Sequence, residues 1–488
     1  MKTICLFIAA MVLNVTLAFS AERPNIIFIF ADDYAFWAFG ANGHPAVKTP
    51  NLDRLAGEGT VFSNAYIQGG WHGAICVASR AMLNTGRFLW NSKNEMDRGI
   101  AKQNNSLNPE QRERYESNFW SRLLHDGGYE TYFAGKWHVD GNCVSAQQIF
   151  DHTGIVRNGG MPPTVDSSYN RSLEGEADAW SPADPKFNGH WTGGQHWAEA
   201  LADSAMEMVG TAAKSDKPFF MYLAFNSPHD PRQAPQEFLD MYPQEQMDVP
   251  PNFLPENPFK NPMGCPATLR DEKLAPFPRT EYAVRVQRRE YYAIISHMDV
   301  QVGRILAALD KSGKRENTYI IFSADNGLAM GSHGLFGKQS MFEHSLKVPL
   351  IITGPGLPKQ NRISMPVYMQ DIMPTTLEMA GKKVPEYVQF KSLLPLLRNE
   401  QTEQYSSIYA AYQQQSQRMV RRGDFKLIAY PTAKTVLLYN IKNDPYEITN
   451  LAIQPEYAQT IKELIAELQR LQQESGDPLI LDIPMLLP

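Results

Sequence analysis

Residues Asn25 to Asp33 read N-I-I-F-I-F-A-D-D, a continuous apolar run of strand length that ends in two carboxylates. Such a run predicts a strand that is buried on both faces, as strands of parallel sheets are. Ligands bind at the carboxyl ends of strands in open α/β sheets. Asp32 and Asp33 are therefore candidate ligands of a hard cation, which would relieve their mutual repulsion. The alternative, and the commoner role of Asp after a strand, is a turn or a helix cap.

The same pattern, an apolar strand followed by polar side chains, recurs along the chain. T-Y-I-I-F-S-A-D-N-G at 318–327 ends in Asp325 and Asn326, which are again oxygen donors. K-P-F-F-M-Y-L-A-F at 217–225 leads into N-S-P-H-D-P-R, where two prolines would hold the loop rigid. Because strand ends gather at one edge of an α/β sheet, these side chains are expected to lie close together.

G-Y-E-T-Y-F-A-G-K-W-H at 128–138 predicts one more buried strand. Lys136 and His138 are two residues apart and would point to the same side of an extended chain. Residues 139–197 are rich in Gly, Asn, Pro and Asp and predict a long loop. The proline-rich stretch 243–279 predicts a surface excursion.

The pattern changes after about residue 386. Short alternating runs at 407–412, 417–430 and 435–441 predict an antiparallel sheet, and an apolar helical period predicts a helix at about 455–474. The expected fold class is α/β, with a large mixed sheet flanked by helices and a smaller C-terminal antiparallel sheet plus helix. The expected units are residues 1–20, 21–385 and 386–488.

The composition is that of an ordinary globular protein, with 488 residues, 43% hydrophobic and 20% charged. The formal net charge is −6 and no long basic run occurs, which argues against a nucleic-acid partner. Residues 1–20 read as a secretory signal peptide whose apolar run is short for a membrane span. The expectation is an exported protein, periplasmic or secreted, without membrane insertion. Of the later cysteines, Cys143 and Cys265 either pair or remain buried thiols.

C-V-A-S-R-A-M-L-N-T-G-R at 76–87 resembles C-x-[P/A]-S-R-x-x-x-x-T-G, the signature of the type I, formylglycine-dependent sulfatases of the alkaline phosphatase superfamily. The family's other motifs follow in order: G-K-W-H at 135–138, P-H-D-P at 228–231 and G-S-H-G-L-F-G-K at 331–338. The resemblance extends from residue 25 to 381. It implies an alkaline-phosphatase-like fold, with residues 21–385 as the catalytic sulfatase domain and 386–488 as a C-terminal α+β subdomain.

The resemblance also implies a chemistry. A formylglycine-generating enzyme would convert Cys76 into Cα-formylglycine, whose hydrate attacks the sulfur of a sulfate monoester and later releases the sulfate by elimination. Calcium, which prefers oxygen ligands, would be bound with residue 76 by Asp32, Asp33, Asp325 and Asn326.

The remaining roles follow from the same motifs. Arg80 and His138 would hold the hydrate, Lys136 and Lys338 would neutralise sulfate oxygens, and His229 would protonate the leaving oxygen. Three further residues are expected to bind a sulfated sugar, namely Asp230, Arg232 and His333. For Asp230 and Arg232 the alternative is that they pair with each other or brace the loop.

Two alternatives to an exported carbohydrate sulfatase remain open. One is a phosphonate monoester or phosphodiester hydrolase of the same superfamily, which the fold cannot distinguish. The other is an inactive protein that binds sulfated glycan, although the intact set of motif residues argues against it. A serine hydrolase of the G-x-S-x-G type is disfavoured because that motif does not occur.

Overall fold

A computed structural model describes residues 23–103, 108–139, 144–159 and 166–481. The strands are β1 Asn25–Ala31, β2 Thr60–Phe62, β3 Ala65–Tyr66, β4 Gly69–Gly70, β5 Glu130–Lys136, β6 His152–Arg157, β7 Trp191–Thr192, β8 Gln195–His196, β9 Phe219–Ala224, β10 Thr318–Ala324, β11 Lys347–Val348, β12 Leu350–Thr353, β13 Asn361–Ile363, β14 Val367–Tyr368, β15 Ser407–Tyr412, β16 Gln417–Arg422, β17 Phe425–Tyr430 and β18 Thr435–Asn440.

The α-helices are α1 Pro50–Gly57, α2 Ile75–Thr85, α3 Leu89–Gln103, α4 Pro109–Ser117, α5 Trp120–His125, α6 Ala146–Ile149, α7 Trp197–Ala212, α8 Gln236–Asp240, α9 Glu281–Lys311, α10 Glu343–Leu346, α11 Ile372–Met379, α12 Leu394–Leu397 and α13 Ala458–Ser475. The longest, α9, begins at Thr280, whose side chain accepts a hydrogen bond from the backbone N–H of Ala283 as an N-cap does. One face of α9 is buried along most of its length, since its apolar residues recur at helical spacing.

An eight-stranded mixed sheet forms the centre of the molecule, in the order β13-β2-β12-β10-β1-β9-β5-β6. β1 lies in its middle and pairs in parallel with β10 on one side and β9 on the other. All seven residues of β1 are buried, as its unbroken apolar sequence predicts. The antiparallel strand β12 makes the sheet mixed. The predicted fold class is thus confirmed.

A five-stranded sheet follows in the C-terminal part, in the order β18-β17-β16-β15-β4. β15 to β18 are antiparallel, as predicted, and α13 packs against them. The outer strand β4 comes from the N-terminal half of the chain and pairs in parallel with β15. The C-terminal sheet is therefore completed by residues that lie just ahead of Cys76. The boundary between 385 and 386 stays a prediction.

Several local predictions were wrong. The run T-V-F-S-N-A-Y at 60–66 reads as one strand, but β2 joins the large sheet and β3 joins a separate three-stranded sheet. The stretch 139–197 is not only loop, since β6 extends the large sheet beside β5. Residues 417–430 are two strands joined by a turn at Gly423 and Asp424. In each of these cases the apolar pattern of the sequence does not mark the short turn or strand boundary that the structure has.

The predicted signal peptide and Cys143 lie outside the described residues. Cys265 is buried and not in a disulfide, and its thiol donates to the backbone carbonyl of Gln339 at 3.0 Å. Within the described ranges, no helix has the length and apolar character needed to cross a membrane.

Candidate active site

The ends of the neighbouring parallel strands β1 and β10 supply four polar residues that meet at one point. The last residues of the two strands, Ala31 and Ala324, are paired in register, so the side chains after them must face the same space. The backbone N–H of Asp33 donates to Oδ1 of Asp325 at 3.0 Å, and Nδ2 of Asn326 donates to Oδ1 of Asp33 at 2.8 Å. These residues and Asp32 are fully buried.

Helix α2 carries Cys76 in its first turn and Arg80 one turn later, so both side chains lie on the same face. Nε of Arg80 donates to Oδ2 of Asp325 at 2.9 Å. Nη1 donates to the backbone carbonyl of Lys136 at 2.7 Å, at the end of β5. Arg80 therefore ties three elements together at the site: α2, β5 and the loop after β10.

Lys338 joins the cysteine to the carboxylates. Its ammonium donates to Oδ1 of Asp33 at 2.6 Å and lies 3.0 Å from Sγ of Cys76. Lys136 pairs with Asp32 in the same way. Together with Arg80 and Asp325, three buried cations face three buried carboxylates around the Cys76 side chain.

Burial raises the pKa of the Cys76 thiol well above its ordinary value, and the charges of Lys136 and Lys338 only partly oppose this. Since the thiolate is the nucleophilic form of cysteine, the unmodified thiol is poorly suited to act as a nucleophile here. Burial likewise raises the pKa of Asp33, with Lys338 acting in the opposite direction.

His229, on the loop after β9, lies on the other side of Asp33, with Nε2 3.7 Å from Oδ2. Its Nδ1 lies 2.6 Å from the backbone carbonyl of Asp230. Because a carbonyl only accepts, Nδ1 carries the proton and Nε2 faces the site. Burial lowers the pKa of His229 well below its ordinary value, and Lys338, Lys136 and Arg270 lower it further.

His138 reaches the site by a different backbone path from the one predicted. β5 ends at Lys136, and His138 has a φ of 44°, in the left-handed region. The argument from an extended chain was therefore wrong. Burial lowers the pKa of His138 to about 2, and the nearby charges of Lys136, Arg80 and Lys338 contribute.

Three buried oxygens at this point fit a hard cation. Oδ1 of Asp32, Oδ2 of Asp33 and Oδ1 of Asn326 make no hydrogen bond to any described residue. Unpartnered buried oxygens are costly and need a ligand or water, and oxygen donors are what calcium binds. One ligand atom each from Asp32, Asp33, Cys76 and His229 all lie within 4.8 Å of one another. Asp325 is not in that group, and its oxygens accept from Arg80 and from the backbone of Asp33.

Of the residues predicted to bind substrate, Asp230 lies beside His229, and its Oδ2 makes no hydrogen bond within the described part of the chain. Arg232 donates through Nη1 to Gln287 of α9 at 3.0 Å and lies over the ring of Tyr291. The described residues show no ion pair between Asp230 and Arg232, so the expectation that the two pair is not met.

His333 is held by protein partners on both ring nitrogens. Nε2 lies 3.0 Å from the backbone carbonyl of Glu447, and Nδ1 lies 3.3 Å from Nδ2 of Asn252. Its ring stacks on that of Phe342, with the ring centroids 3.8 Å apart. A substrate-binding role for His333 stays a prediction, and its contacts here join the loop 327–342 to the segment around Glu447.

Sequence reasoning missed Arg270 and Asp271, which come from the proline-rich stretch treated as a surface excursion. Nη2 of Arg270 lies 3.4 Å from Nε2 of His229 and 3.2 Å from Oδ1 of Asp230. Asp271 accepts from the side-chain amide of Gln339 at 2.6 Å. No periodicity or motif in the sequence marks these residues.

A cavity of about 1110 Å³ lies elsewhere, between the N-terminal part of the chain and the C-terminal subdomain. Its walls include Trp37, Arg288, His344, Arg421 and Tyr446. None of the residues gathered around Cys76 lines it. We assign the candidate active site by the chemistry around Cys76 and not by cavity size, since catalysis requires a reactive group in contact with charge-stabilising and proton-transferring side chains.

Comparison with known proteins gives a consistent result. The sulfatase family profile matches residues 24–382, and the profile of the N-sulphoglucosamine sulphohydrolase C-terminal region matches residues 331–474. An N-acetylglucosamine-6-O-sulfatase of Bacteroides thetaiotaomicron is 28% identical, over 93% of this chain and 87% of its own length. An ulvan-active sulfatase of Formosa agariphila is 28% identical, over 93% of this chain and 82% of its own length.

Solved structures share the fold. One, a protein in complex with its substrate D-glucosamine-2-N,6-O-disulfate, matches with a TM-score of 0.69 and 24% identity, over 94% of this chain and 99% of the other. A phosphonate monoester hydrolase of Agrobacterium radiobacter matches with a TM-score of 0.68 and 21% identity, over 93% of this chain and 96% of the other. Since the family profile spans most of the chain and includes every motif around Cys76, this chain belongs to the sulfatase family and is a hydrolase of sulfuric esters.

Proposed function

We propose that this protein is an exported sulfatase that hydrolyses a sulfate monoester on a carbohydrate, using formylglycine formed from Cys76 and a bound calcium ion. The observation that carries the proposal is the position of the Cys76 side chain. Sγ lies 3.0 Å from the ammonium of Lys338 and 3.7 Å from Oδ1 of Asp33, among unpartnered carboxylate oxygens. A sulfate monoester needs fixed positive charge near its oxygens, and a reactive group at residue 76 needs polar side chains that hold it in place.

The cations supply electrostatic stabilisation. Lys136, Lys338 and Arg80 fix three positive charges around the position of residue 76. A sulfate ester spreads negative charge over its oxygens in the transition state, and charges fixed in a buried site stabilise it without reorganisation. Lys136 and Lys338 bind the sulfate oxygens, and Arg80 orients residue 76. Formylglycine, as its hydrate, supplies the nucleophilic oxygen.

The two histidines divide the proton transfers. His229 faces the site with Nε2, while its Nδ1–H is held by the carbonyl of Asp230. To give a proton to the leaving oxygen through Nε2 it must first become an imidazolium, a form that a bound sulfate anion favours. His138 is neutral at neutral pH, because its pKa is about 2. A neutral imidazole can accept a proton, and His138 becomes a stronger base when a bound anion offsets the charges of Lys136, Arg80 and Lys338.

The metal would be held by the unpartnered oxygens of Asp32, Asp33 and Asn326, with Asp325 as the fourth predicted ligand. When bound, calcium supplies positive charge that polarises a sulfate oxygen and orients residue 76. The all-oxygen protein donors favour calcium over zinc, which prefers nitrogen and sulfur.

A sugar substrate is supported by the names of the relatives. One is an N-acetylglucosamine-6-O-sulfatase, another is active on ulvan, and a structural neighbour was solved with a glucosamine disulfate. The predicted export signal would bring the enzyme to extracellular or periplasmic glycans. Galactose and N-acetylgalactosamine sulfates are further candidates, and Asp230 and Arg232 beside His229 are the predicted sugar contacts.

The alternative of a phosphonate monoester hydrolase keeps one supporting observation, the shared fold with the Agrobacterium radiobacter enzyme. Fold similarity of this degree does not assign a substrate. The alternative of an inactive glycan-binding protein is opposed by the close packing of all six motif side chains around the same point.

The test uses protein produced together with a sulfatase-maturing enzyme. Mass spectrometry of the peptide that contains residue 76 should show formylglycine. The kcat/KM should be larger for 4-nitrophenyl sulfate than for bis(4-nitrophenyl) phosphate or a phenyl phosphonate monoester. N-acetylglucosamine 6-sulfate, galactose 6-sulfate and N-acetylgalactosamine 4-sulfate then test the sugar. A preference for the phosphorus esters would overturn the proposed substrate, and full activity with unmodified cysteine would overturn the formylglycine mechanism.

A further inference from the structure

Arg270 is a partly exposed residue that contacts two buried residues of the candidate active site. Its side chain is 42% exposed, whereas His229 and Asp230, which it contacts, are only 4% and 2% exposed. Nη2 lies 3.4 Å from Nε2 of His229, the nitrogen that faces the site. A substrate whose sulfate is held at Cys76 and whose leaving oxygen meets His229 must therefore place its sugar next to this guanidinium.

The guanidinium is held in one orientation. Nε and Nη2 both donate to Oδ1 of Asp271, at 2.9 and 2.6 Å, and Nη2 also lies 3.2 Å from Oδ1 of Asp230. Asp271 is fixed in turn by the side-chain amide of Gln339. A side chain that is fixed before binding loses little entropy when a ligand arrives.

One donor and one acceptor remain available. Nη1 of Arg270 donates to none of the described residues, although Nε and Nη2 are both occupied. Oδ2 of Asp230 is buried and accepts no hydrogen bond from the described residues. A hydroxyl group can both donate and accept, so an adjacent donor and acceptor on a fixed frame match the hydroxyls of a sugar.

The local charge favours a neutral group at this position. Arg270 is flanked by two carboxylates, Asp230 and Asp271. The guanidinium is thus already neutralised, and a second sulfate or a carboxylate placed here would meet Oδ2 of Asp230 with like charge. A neutral hydroxyl pays no such penalty.

We propose that Arg270 and Asp230 form a subsite that binds the sugar hydroxyl nearest to the sulfate ester, with Nη1 of Arg270 as donor and Oδ2 of Asp230 as acceptor. This inference rests on the proposed function and names a part of its substrate: a sulfated pyranose that carries a free neighbouring hydroxyl. Arg270, rather than Arg232, brings its guanidinium to Asp230.

The test compares Arg270→Ala and Arg270→Lys with the unchanged matured enzyme. Substrates are 4-nitrophenyl sulfate and the three sulfated sugars named above, each with the analogue that lacks the hydroxyl nearest to the sulfate. Arg304→Ala serves as the matched control, because Arg304 is also partly exposed, at 38%, and also pairs with a carboxylate, that of Asp203. Thermal unfolding confirms that each variant is folded.

For the sugar that the wild type hydrolyses, Arg270→Ala should lower kcat/KM roughly tenfold or more, against less than about threefold for 4-nitrophenyl sulfate. Arg270→Lys keeps the positive charge but not the planar guanidinium with its paired donors. Its kcat/KM should therefore lie between those of the wild type and of Arg270→Ala. Removing the neighbouring hydroxyl from the substrate should lower the kcat/KM of the wild type by a similar factor. It should lower the kcat/KM of Arg270→Ala little further, because in a double-mutant cycle two groups that interact do not have additive effects.

Four results would overturn the subsite. Equal losses on the aryl and sugar sulfates would mean that Arg270 only positions His229. Full additivity of the side-chain and hydroxyl deletions would mean that the two do not touch. Turnover of 4-nitrophenyl sulfate without turnover of any of the three sugars would remove the subsite but leave the sulfatase. Turnover of neither kind of ester, with formylglycine present, would overturn the proposed function itself and the subsite with it.

Discussion

Lys338 determines the charge balance around residue 76, because one ammonium contacts both the Asp33 carboxylate and the Cys76 thiol. Burial alone would lower the pKa of Lys338, but Asp33 and Cys76 outweigh it and raise the pKa well above its ordinary value. Buried ion pairs seldom add stability, since the cost of desolvating both charges offsets their attraction. The three pairs at this site are therefore better explained by the anion they can bind than by the fold they support.

Replacing Cys76 by alanine should abolish sulfatase activity while leaving the protein folded. The side chain supplies the reactive group, yet it makes only two polar contacts, so the free energy of unfolding should change by about 1–2 kcal/mol. Turnover of 4-nitrophenyl sulfate and urea unfolding measure the two effects. Cys265→Ser is the matched control: it replaces the other described buried cysteine and keeps a donor for the Gln339 carbonyl. Sulfatase turnover by folded Cys76→Ala protein would refute the assignment of residue 76.

His333 allows a prediction about pH. Burial lowers its pKa to about 4, while the unfolded chain has the ordinary value of about 6.5. Between these values the unfolded state binds the proton and the folded state does not, so His333 reduces stability as pH falls from about 6.5 to 4. A glutamine at this position does not titrate. His333→Gln should therefore lose less stability than the wild type on acidification, by about 1.6 kcal/mol between pH 6.5 and 5.

The measurement is urea unfolding of both proteins at the two pH values. Leu346→Ala, which removes a buried apolar side chain at the end of α10, provides the control, since its destabilisation should not depend on pH. A difference between His333→Gln and the wild type that stays constant from pH 6.5 to 5 would contradict the prediction.

At the scale of elements, the site depends on the register of β1 and β10. Their parallel pairing from Asn25 with Thr318 to Ala31 with Ala324 sets Asp32 beside Asp325. A metal at the strand ends is expected to hold these loops in their active arrangement. Exhaustive chelation should remove activity, and calcium should restore it better than magnesium, which demands a small octahedral site.

Asp325→Asn should lower the metal affinity by roughly 10–100-fold. Activity should fall together with the amount of bound metal. The variant keeps an acceptor for the backbone N–H of Asp33 but loses the charge that faces Arg80. Asp371→Asn, which changes a buried carboxylate that is not among the predicted metal ligands, should retain the metal. Atomic emission on the purified proteins measures the metal, and full activity in protein shown to be metal-free would exclude a metal role.

The elements also show what the sequence can reveal. β1 and β10 were predictable because strands buried on both faces are mostly apolar, and the carboxylates that follow them are then conspicuous. Arg270 and Asp271 were not, because a short irregular segment has no period and its burial depends on distant partners such as Gln339. β4 is two glycines long, and glycine pairs carry no strand propensity.

At the scale of the whole molecule, the reactive side chain lies too deep for a second protein to reach it once folding is complete. Cys76 is 2% exposed, and helix α2 is buried along its length. A maturing enzyme needs the peptide around Cys76 in an open form. We therefore expect efficient conversion of a synthetic peptide of residues 70–90 and little conversion of purified, folded, unmodified protein.

Mass spectrometry of the residue 76 peptide after incubation with a sulfatase-maturing enzyme gives both yields. Protein unfolded in urea and diluted into the maturation mixture serves as the control for the full-length chain. Equal conversion of the folded protein and the peptide would show that burial does not protect Cys76.

Because β4 pairs with β15, the time at which the segment ahead of Cys76 can fold depends on how fast the chain is synthesised. Gly69 and Gly70 lie just ahead of Cys76, but their partners Ala411 and Tyr412 are made about 340 residues later. At a synthesis rate of roughly 5–20 residues per second, the segment before the cysteine waits on the order of 20–70 s for its neighbouring strand. That delay is the interval in which a nascent chain can be modified. The pace of the ribosome, as well as the supply of maturing enzyme, should therefore set how much of the protein ever becomes active.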